Sequence, residues 1–496
     1  MKKNNILYTA LSVVLFCLVS WQRIPAFAHT AEASSVFEID SQKVADLALS
    51  NSLDIQIARF DTYIKRTELN KVRSLFDTFL NAGIEYASDE KAVASTFLGT
   101  KTSSNVYSLG IEKKLPSGTA ISVEAKDERT HTDSSFATIN PAHEATVELT
   151  LTQELGKNFF GIADRSEVKL TKLDIENAEY TTLSDIEDAL YETLKSYWNL
   201  VLKEEALRIR RQMRTQADRL YKIYQDKFDM GMVEDVDMAE IRAHLKILDT
   251  GVLNAELEKE TAKNDLLFLL NLDDPAVVLV PRDTLETEPH TVDLYEKVTG
   301  AIAFRRDYRK IENELKKHNI ELAVKKNALW PEIDLEASYT KNGLDSKYRE
   351  AWSESTNKDH DEIFLGLTIR LSLENNQARS ELDAARLQKE QLLLSLKRIE
   401  RTVLRDINNQ VMTVNTLKNK VDLTGELVGF QATKLAEEHK RLGWGRSNAD
   451  VMVRYEDDLL GAQLDYAMAL YQYRIGILEL ARRQNILLNE YWTGEL

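Results

Sequence analysis

From Asp164 to Met230 the sequence contains neither glycine nor proline. At 1.5 Å per residue, a single helix over that run is about 100 Å long. No compact domain is that wide, so such a helix must bury its apolar side along its length against other helices. Leu183, Ile186, Leu190, Leu194, Tyr197 and Val201 step by three and four through it. Leu396, Ile399, Val403, Ile407, Val411, Val414, Leu417 and Val421 do the same in a later stretch that has no proline after Pro331. Both read as helices with one apolar stripe. Each ends in a turn: FDMGMVEDVD, with Gly231 and Asp237, and RLGWGRSNADV, with Gly443, Gly445, Ser447 and Asp450. Glycine relieves a helix end, and Ser or Asp caps the returning helix. Two long antiparallel helical hairpins are expected.

Between the helices lie segments of a different period. In WPEIDLEASYTKNG, Ile333, Leu335, Ala337 and Tyr339 point one way, and Glu332, Asp334, Glu336 and Ser338 the other. Strict alternation of this kind reads as a strand. Strands are expected near Thr78–Ala87, Ala145–Glu154, Pro331–Thr340 and Glu362–Leu373. A further hairpin is expected where Leu109 and Ile111, then Ile121 and Val123, flank Pro116-Ser117-Gly118. The stretch from Lys341 to Asp361 reads as a long polar loop. A soluble sandwich and a membrane barrel both fit such alternation. The absence of a second sheet to cover the apolar sides, beside helices of this length, favours lipid. Four or six strands cannot close a barrel alone, since single-chain barrels begin at eight, so several chains must share one.

A shift of 253 positions superimposes Asp40 on Asp293, Ala48 on Ala301, Asp54 on Asp307, Glu68 on Glu321, Leu69 on Leu322 and Tyr86 on Tyr339. The chain of 496 residues therefore divides into a leader at 1–28, a first repeat at 29–290 and a second at 291–496. Lys2 and Lys3, an apolar run from Ile6 to Val19 and Ala26-Phe27-Ala28 have the three-part plan of a secretory signal. The run is too short to be a spanning helix. Cys17 follows Phe16 rather than a small residue, which argues against a lipid anchor, and the chain after the leader has no cysteine. Thiolate metal sites and disulfides are thereby excluded. Loss of Lys2, Lys3 and Arg23 takes the formal charge from −16 to −19, which disfavours a nucleic-acid partner. HExxH, GxSxG and the P-loop are all missing, so no enzyme, cofactor or metal is expected.

The tandem plan, ALWPEIDLEASY before a strand, VELTLTQELG before a long helix, and the Gly231…Asp237 and Arg446-Ser447…Asp450-Val451 turns together resemble the TolC-type outer-membrane efflux channel family. That resemblance implies an α+β membrane protein: a homotrimer with one shared transmembrane β-barrel continuous with a periplasmic α-helical barrel. It implies a periplasmic adaptor and an inner-membrane pump as partners, and export of drugs, toxins or proteins. It places the gate at the helical tips, where Glu234, Asp237, Arg446 and Asp450 are the candidates. The competing class is a periplasmic coiled-coil adaptor or scaffold, which also uses long helical hairpins.

Overall fold

The computed structural model describes residues 36–92, 99–272, 277–285, 289–358 and 360–492. The leader expected at 1–28 lies outside them. A short strand β1 (Val36–Ile39) leads into helices α1 (Ser41–Asn51) and α2 (Leu53–Arg73). Four strands follow, β2 (Thr78–Asp89), β3 (Thr102–Lys114), β4 (Thr119–Thr132) and β5 (Ala142–Glu154), then the hairpin of α3 (Ile162–Asp229) and α4 (Asp235–Leu269). The rest runs β6 (Val278–Pro281), α5 (Leu294–Phe304), α6 (Arg306–Asn327), β7 (Glu332–Asp345), α7 (Tyr348–Asn357) and β8 (Asp361–Arg370). A second hairpin, α8 (Asn376–Gly443) and α9 (Ala449–Gln484), and the short α10 (Leu487–Tyr491) end the described chain.

Helices α3 and α8 are each 68 residues long, about 100 Å. The expected stripes of both helices lie in one buried core. Ile186, Leu190, Leu194, Tyr197 and Val201 of α3 are buried in one cluster with Val403, Ile407, Val411, Val414 and Val421 of α8. One of the six pairs matched by the shift of 253 does the same job in both places: Asp40 caps α1 by accepting from Lys43 N at 2.8 Å, and Asp293 caps α5 by accepting from Glu296 N at 3.0 Å. Around the middle of the helices, β1 pairs in parallel with β6. That two-strand pair was not read from the sequence, because each partner is four residues long and the two are far apart in the chain. Below it, Arg306 of α6 is ion-paired with Glu187 of α3, both buried. Glu187 also accepts from Asn485 Nδ2 at 2.9 Å and Leu488 N at 3.3 Å. A buried pair with its oxygens satisfied ties three segments together without leaving an uncompensated charge.

The other strands form one sheet in the order β2-β3-β4-β5-β7-β8, antiparallel throughout. The expected extra hairpin is β3–β4, inserted between β2 and β5. Its turn docks on the start of α3, where Gly118 and Gly161, both left-handed, approach so closely that a Cβ on either would collide with the other's backbone. Arg165 donates to Pro116 O at 3.0 Å, and Lys114 pairs with Asp164 at 2.8 Å.

Two expectations are corrected. Strand β8 ends at Arg370 rather than Leu373; Asn375, at φ 47°, turns the chain into α8 and its amide donates to Leu329 O at 3.1 Å. The stretch from Lys341 to Asp361 is not a loop throughout: β7 continues to Asp345, and α7 occupies Tyr348–Asn357. Ala351 and Ser355, one turn apart on α7, are buried, which gives this short polar helix a packed face.

Candidate functional site

Both helical tips use the same ending. Gly231, at φ 74°, donates to Phe228 O at 2.8 Å, and Met232 N donates to Lys227 O at 2.9 Å. Gly445, at φ 72°, donates to Leu442 O at 3.1 Å, and Arg446 N to Arg441 O at 2.9 Å. These paired bonds satisfy the last carbonyls of α3 and α8, and a left-handed residue makes them possible. Arg446 thus closes α8 through its backbone, while its side chain is exposed.

The returning helices start differently. Glu234 takes the cap position of α4 without a side-chain bond, and Asp235 and Asp237 lie in the first turn. At α9 the cap is Asn448, whose Oδ1 accepts from Val451 N at 3.1 Å. The sequence suggested Ser447 or Asp450 for that job. The Asn side chain reaches the third amide of the helix from the cap position, and Asp450 lies inside the first turn, where its charge favours the helix dipole. It stands 3.7 Å from Arg454, an exposed pair one turn on.

The tips pack together. Leu220 and Tyr224 of α3, Met238 and Ile241 of α4, Leu435 and Leu442 of α8, and Ala449, Met452 and Leu459 of α9 form a core cluster separate from the main one. Beside it, His244 of α4 and Glu456 of α9 meet at 3.3 Å, only 3% and 1% exposed, with Asp457 3.8 Å from the other ring nitrogen. This contact joins one hairpin to the other through buried polar groups. Tyr224 is pushed up to about 12 by burial, then by the negative charges of Asp237 and Glu240. Asp237 is therefore felt in the cluster, whereas Glu234, Arg446 and Asp450 point to its exposed surroundings. Sequence reading missed His244 and Glu456. The signal was available: His244 interrupts the stripe Met238, Ile241, Leu248, and Glu456 the stripe Met452, Leu459.

At the other end of the molecule the sheet has two unlike faces. Cross-strand register puts Leu80, Ile111, Val123, Leu149, Tyr339 and Ile363 in one row across all six strands. Rows on the opposite face contain Asn81, Gly110, Glu124, Glu148, Thr340 and Glu362. Nothing in the described chain covers the apolar face over the middle of the sheet: Leu149 there is 40% exposed, and Ile84 and Ile363 on the edge strands are 81% and 80% exposed. A soluble sandwich carries a second layer on that side, and no described element supplies one over the middle of the sheet. Among the described residues, no helix is long and apolar enough to cross a membrane, and no group of acidic, His or Cys side chains could hold a metal ion.

No protein-family model matches the sequence, and no curated protein matches it. The structure does match solved channels. The Campylobacter jejuni CmeC outer membrane channel is 15% identical with a TM-score of 0.65, over 90% of this chain and 86% of that one. The outer membrane protein VceC from Vibrio cholerae is 13% identical with a TM-score of 0.65, over 90% and 96%. The open state of the Neisseria gonorrhoeae MtrE outer membrane channel is 17% identical with a TM-score of 0.63, over 91% of each. The chain therefore has the fold of the TolC-type outer-membrane efflux channels.

Proposed function

We propose that this chain is an outer-membrane exit channel, a passive gated conduit leading from the periplasm to the exterior of a Gram-negative cell. The observation that carries the reading is the six-stranded sheet with a bare apolar face and two unpaired edges, continuous with helices of about 100 Å. In lipid, each unpaired edge group costs several kcal/mol. A ring of copies removes the edges, and because β2 and β8 run in opposite directions, β8 of one copy meets β2 of the next in the antiparallel sense of the rest of the sheet. Three copies of six strands make an even-numbered barrel of about eighteen, a size that leaves a water-filled lumen. The charged face of the sheet, rich in carboxylates, then lines that lumen.

Two tandem repeats account for the paired hairpins, and the tips that pack together are the natural closing point. Glu234, Asp237, Arg446 and Asp450 supply charge there for a gate. Nothing in the sequence binds nucleotide, so energy for export comes from partners, a periplasmic adaptor and an inner-membrane pump of a tripartite efflux or type I secretion system. A coiled-coil adaptor is the weaker reading, because the likenesses to CmeC and MtrE are to outer membrane channels. The test is fractionation followed by cross-linking of the detergent-solubilised protein. A channel stays in outer membranes through carbonate washing and cross-links as a trimer; release by carbonate, or a stable monomer, would overturn the reading.

A further inference from the structure

Helix α7 lies on a face that a lid would not use. A Cβ on Gly343 would meet Ala351 O at 2.1 Å and Ser355 N at 2.5 Å, so the α7 backbone rests directly on Gly343. Register places Gly343 in one row with Ala145, Asp127, Tyr107 and Ile84. By alternation that row belongs to the apolar face, two steps beyond Leu80, Ile111, Val123 and Leu149. Ala145 and Asp127 are buried there. Asp127 pairs with His143 at 3.1 Å, whose ring meets Tyr348 edge-on at 6.1 Å, and Tyr348 meets Trp352 at 6.2 Å. The helix therefore clasps the outside of the sheet rather than covering its polar face.

Its height along the sheet is also telling. From Ile333, the first apolar-face residue of β7, to Gly343 is ten residues. At about 3.3 Å each and a tilt of about 40°, that is roughly 25 Å along a barrel axis. The apolar band of an outer-membrane barrel has this height and carries aromatic girdles at both rims. At the helix-side end stand Trp330, Phe159 and Phe160, all exposed; at the other end stand Tyr348 and Trp352. Arg129, in register with His143 on the same face, and the exposed Arg349 add two guanidinium groups to this rim. Neither is ion-paired to a described carboxylate.

We infer that α7 is an interfacial collar: it lies against the phosphate-bearing head groups of the outer leaflet, with Tyr348 and Trp352 at the acyl boundary and Arg129 and Arg349 facing phosphate. Tyr348, 55% exposed, suits that level because its ring is apolar and its hydroxyl polar, Trp352 packs beside it with its indole N–H turned inward, and a guanidinium matches phosphate oxygens with two parallel donors. This rests on the membrane reading of the sheet.

The test uses the assembled full chain and its Trp352→Phe variant in phosphatidylcholine vesicles brominated either near the glycerol end or near the methyl end of the acyl chain. The fluorescence difference between the two proteins reports Trp352 alone. That signal should be quenched more by bromine near the glycerol end than near the methyl end, and only weakly by aqueous acrylamide. Quenching by acrylamide alone, with the remaining fluorescence still quenched by bromolipid, overturns the collar and leaves the barrel standing. Absence of any bromolipid quenching in either protein overturns both. For the phosphate contact, adding phosphatidylglycerol to the vesicles should raise the heat resistance of the assembled protein, and the Arg129→Gln/Arg349→Gln double variant should lose that rise. An equal rise in the variant removes the two arginines from the inference.

Discussion

The helical body and the sheet are both amphipathic, yet they treat their apolar sides in opposite ways. In the body, Ile186, Leu190 and Leu194 are fully buried against other helices of the same chain. In the sheet, Ile84, Tyr86, Ile363 and Leu365 are the most water-accessible large apolar side chains of their strands. The body holds a packed core within one protomer, although Leu253, Leu257, Phe268, Leu394 and Phe430 on its other sides stay exposed. The sheet has no such core, and its apolar face and two edges stay uncovered within the described protomer; in the proposed channel, lipid and further copies of the chain cover them. Sheet and body join where the Gly118 turn docks on Gly161, which in the proposed channel is the boundary between lipid and water.

Substitutions can break this division in order of effect. Leu194→Ala, in the body, should cost about 2–5 kcal/mol through a cavity in a fully packed site, read as a lower unfolding midpoint in detergent. The same truncation at Leu149 should cost far less, since no protein core surrounds it. Leu149→Arg, near the middle of the apolar band, should instead impair insertion into vesicles by about 2–4 kcal/mol, while Thr150→Arg on the opposite face should insert nearly as wild type. Equal insertion of the two arginine variants would dissolve the distinction between the faces.

A smaller effect should appear with pH. Glu479 of α9 accepts from Arg482 Nε at 2.8 Å and Arg483 Nε at 2.8 Å. Burial by itself would raise its pKa, but the hydrogen bond and charge of Arg482, with Arg483, hold it below the ordinary carboxylate value. A depressed folded pKa means that the stabilisation is present above the unfolded carboxylate value of about 4.3 and is lost as pH falls through the folded one. Glu479→Gln should therefore melt below wild type at neutral pH, and the two should converge in acid, as followed by circular dichroism. A constant difference across that window would assign the loss to packing.

The smallest effect on stability, and the one most specific to function, belongs to the tips. Arg446→Glu should leave melting unchanged because the side chain is exposed, yet raise ion conductance in planar bilayers if Arg446 helps to close the conduit. Asp237→Asn and Asp450→Asn should weaken cation preference. Unchanged conductance and selectivity in all three would leave these residues as ordinary first-turn and C-terminal groups.

Much of this was legible in the residues themselves. The stripe through Ile186 and Leu194, the alternation through Ile333 and Tyr339, the inserted hairpin and the glycine endings at Gly231 and Gly445 all follow from periodicity or backbone sterics within a few residues. Those properties are local, so a chain cannot hide them. Tertiary structure alone decided that Asn448 rather than Ser447 caps α9, because cap geometry depends on where the preceding turn leaves the chain. It alone brought His244 to Glu456, which are 212 positions apart, and folded α7 back over Gly343 on the apolar side. Such contacts depend on the relative placement of whole helices and strands, and no short window of sequence carries that placement.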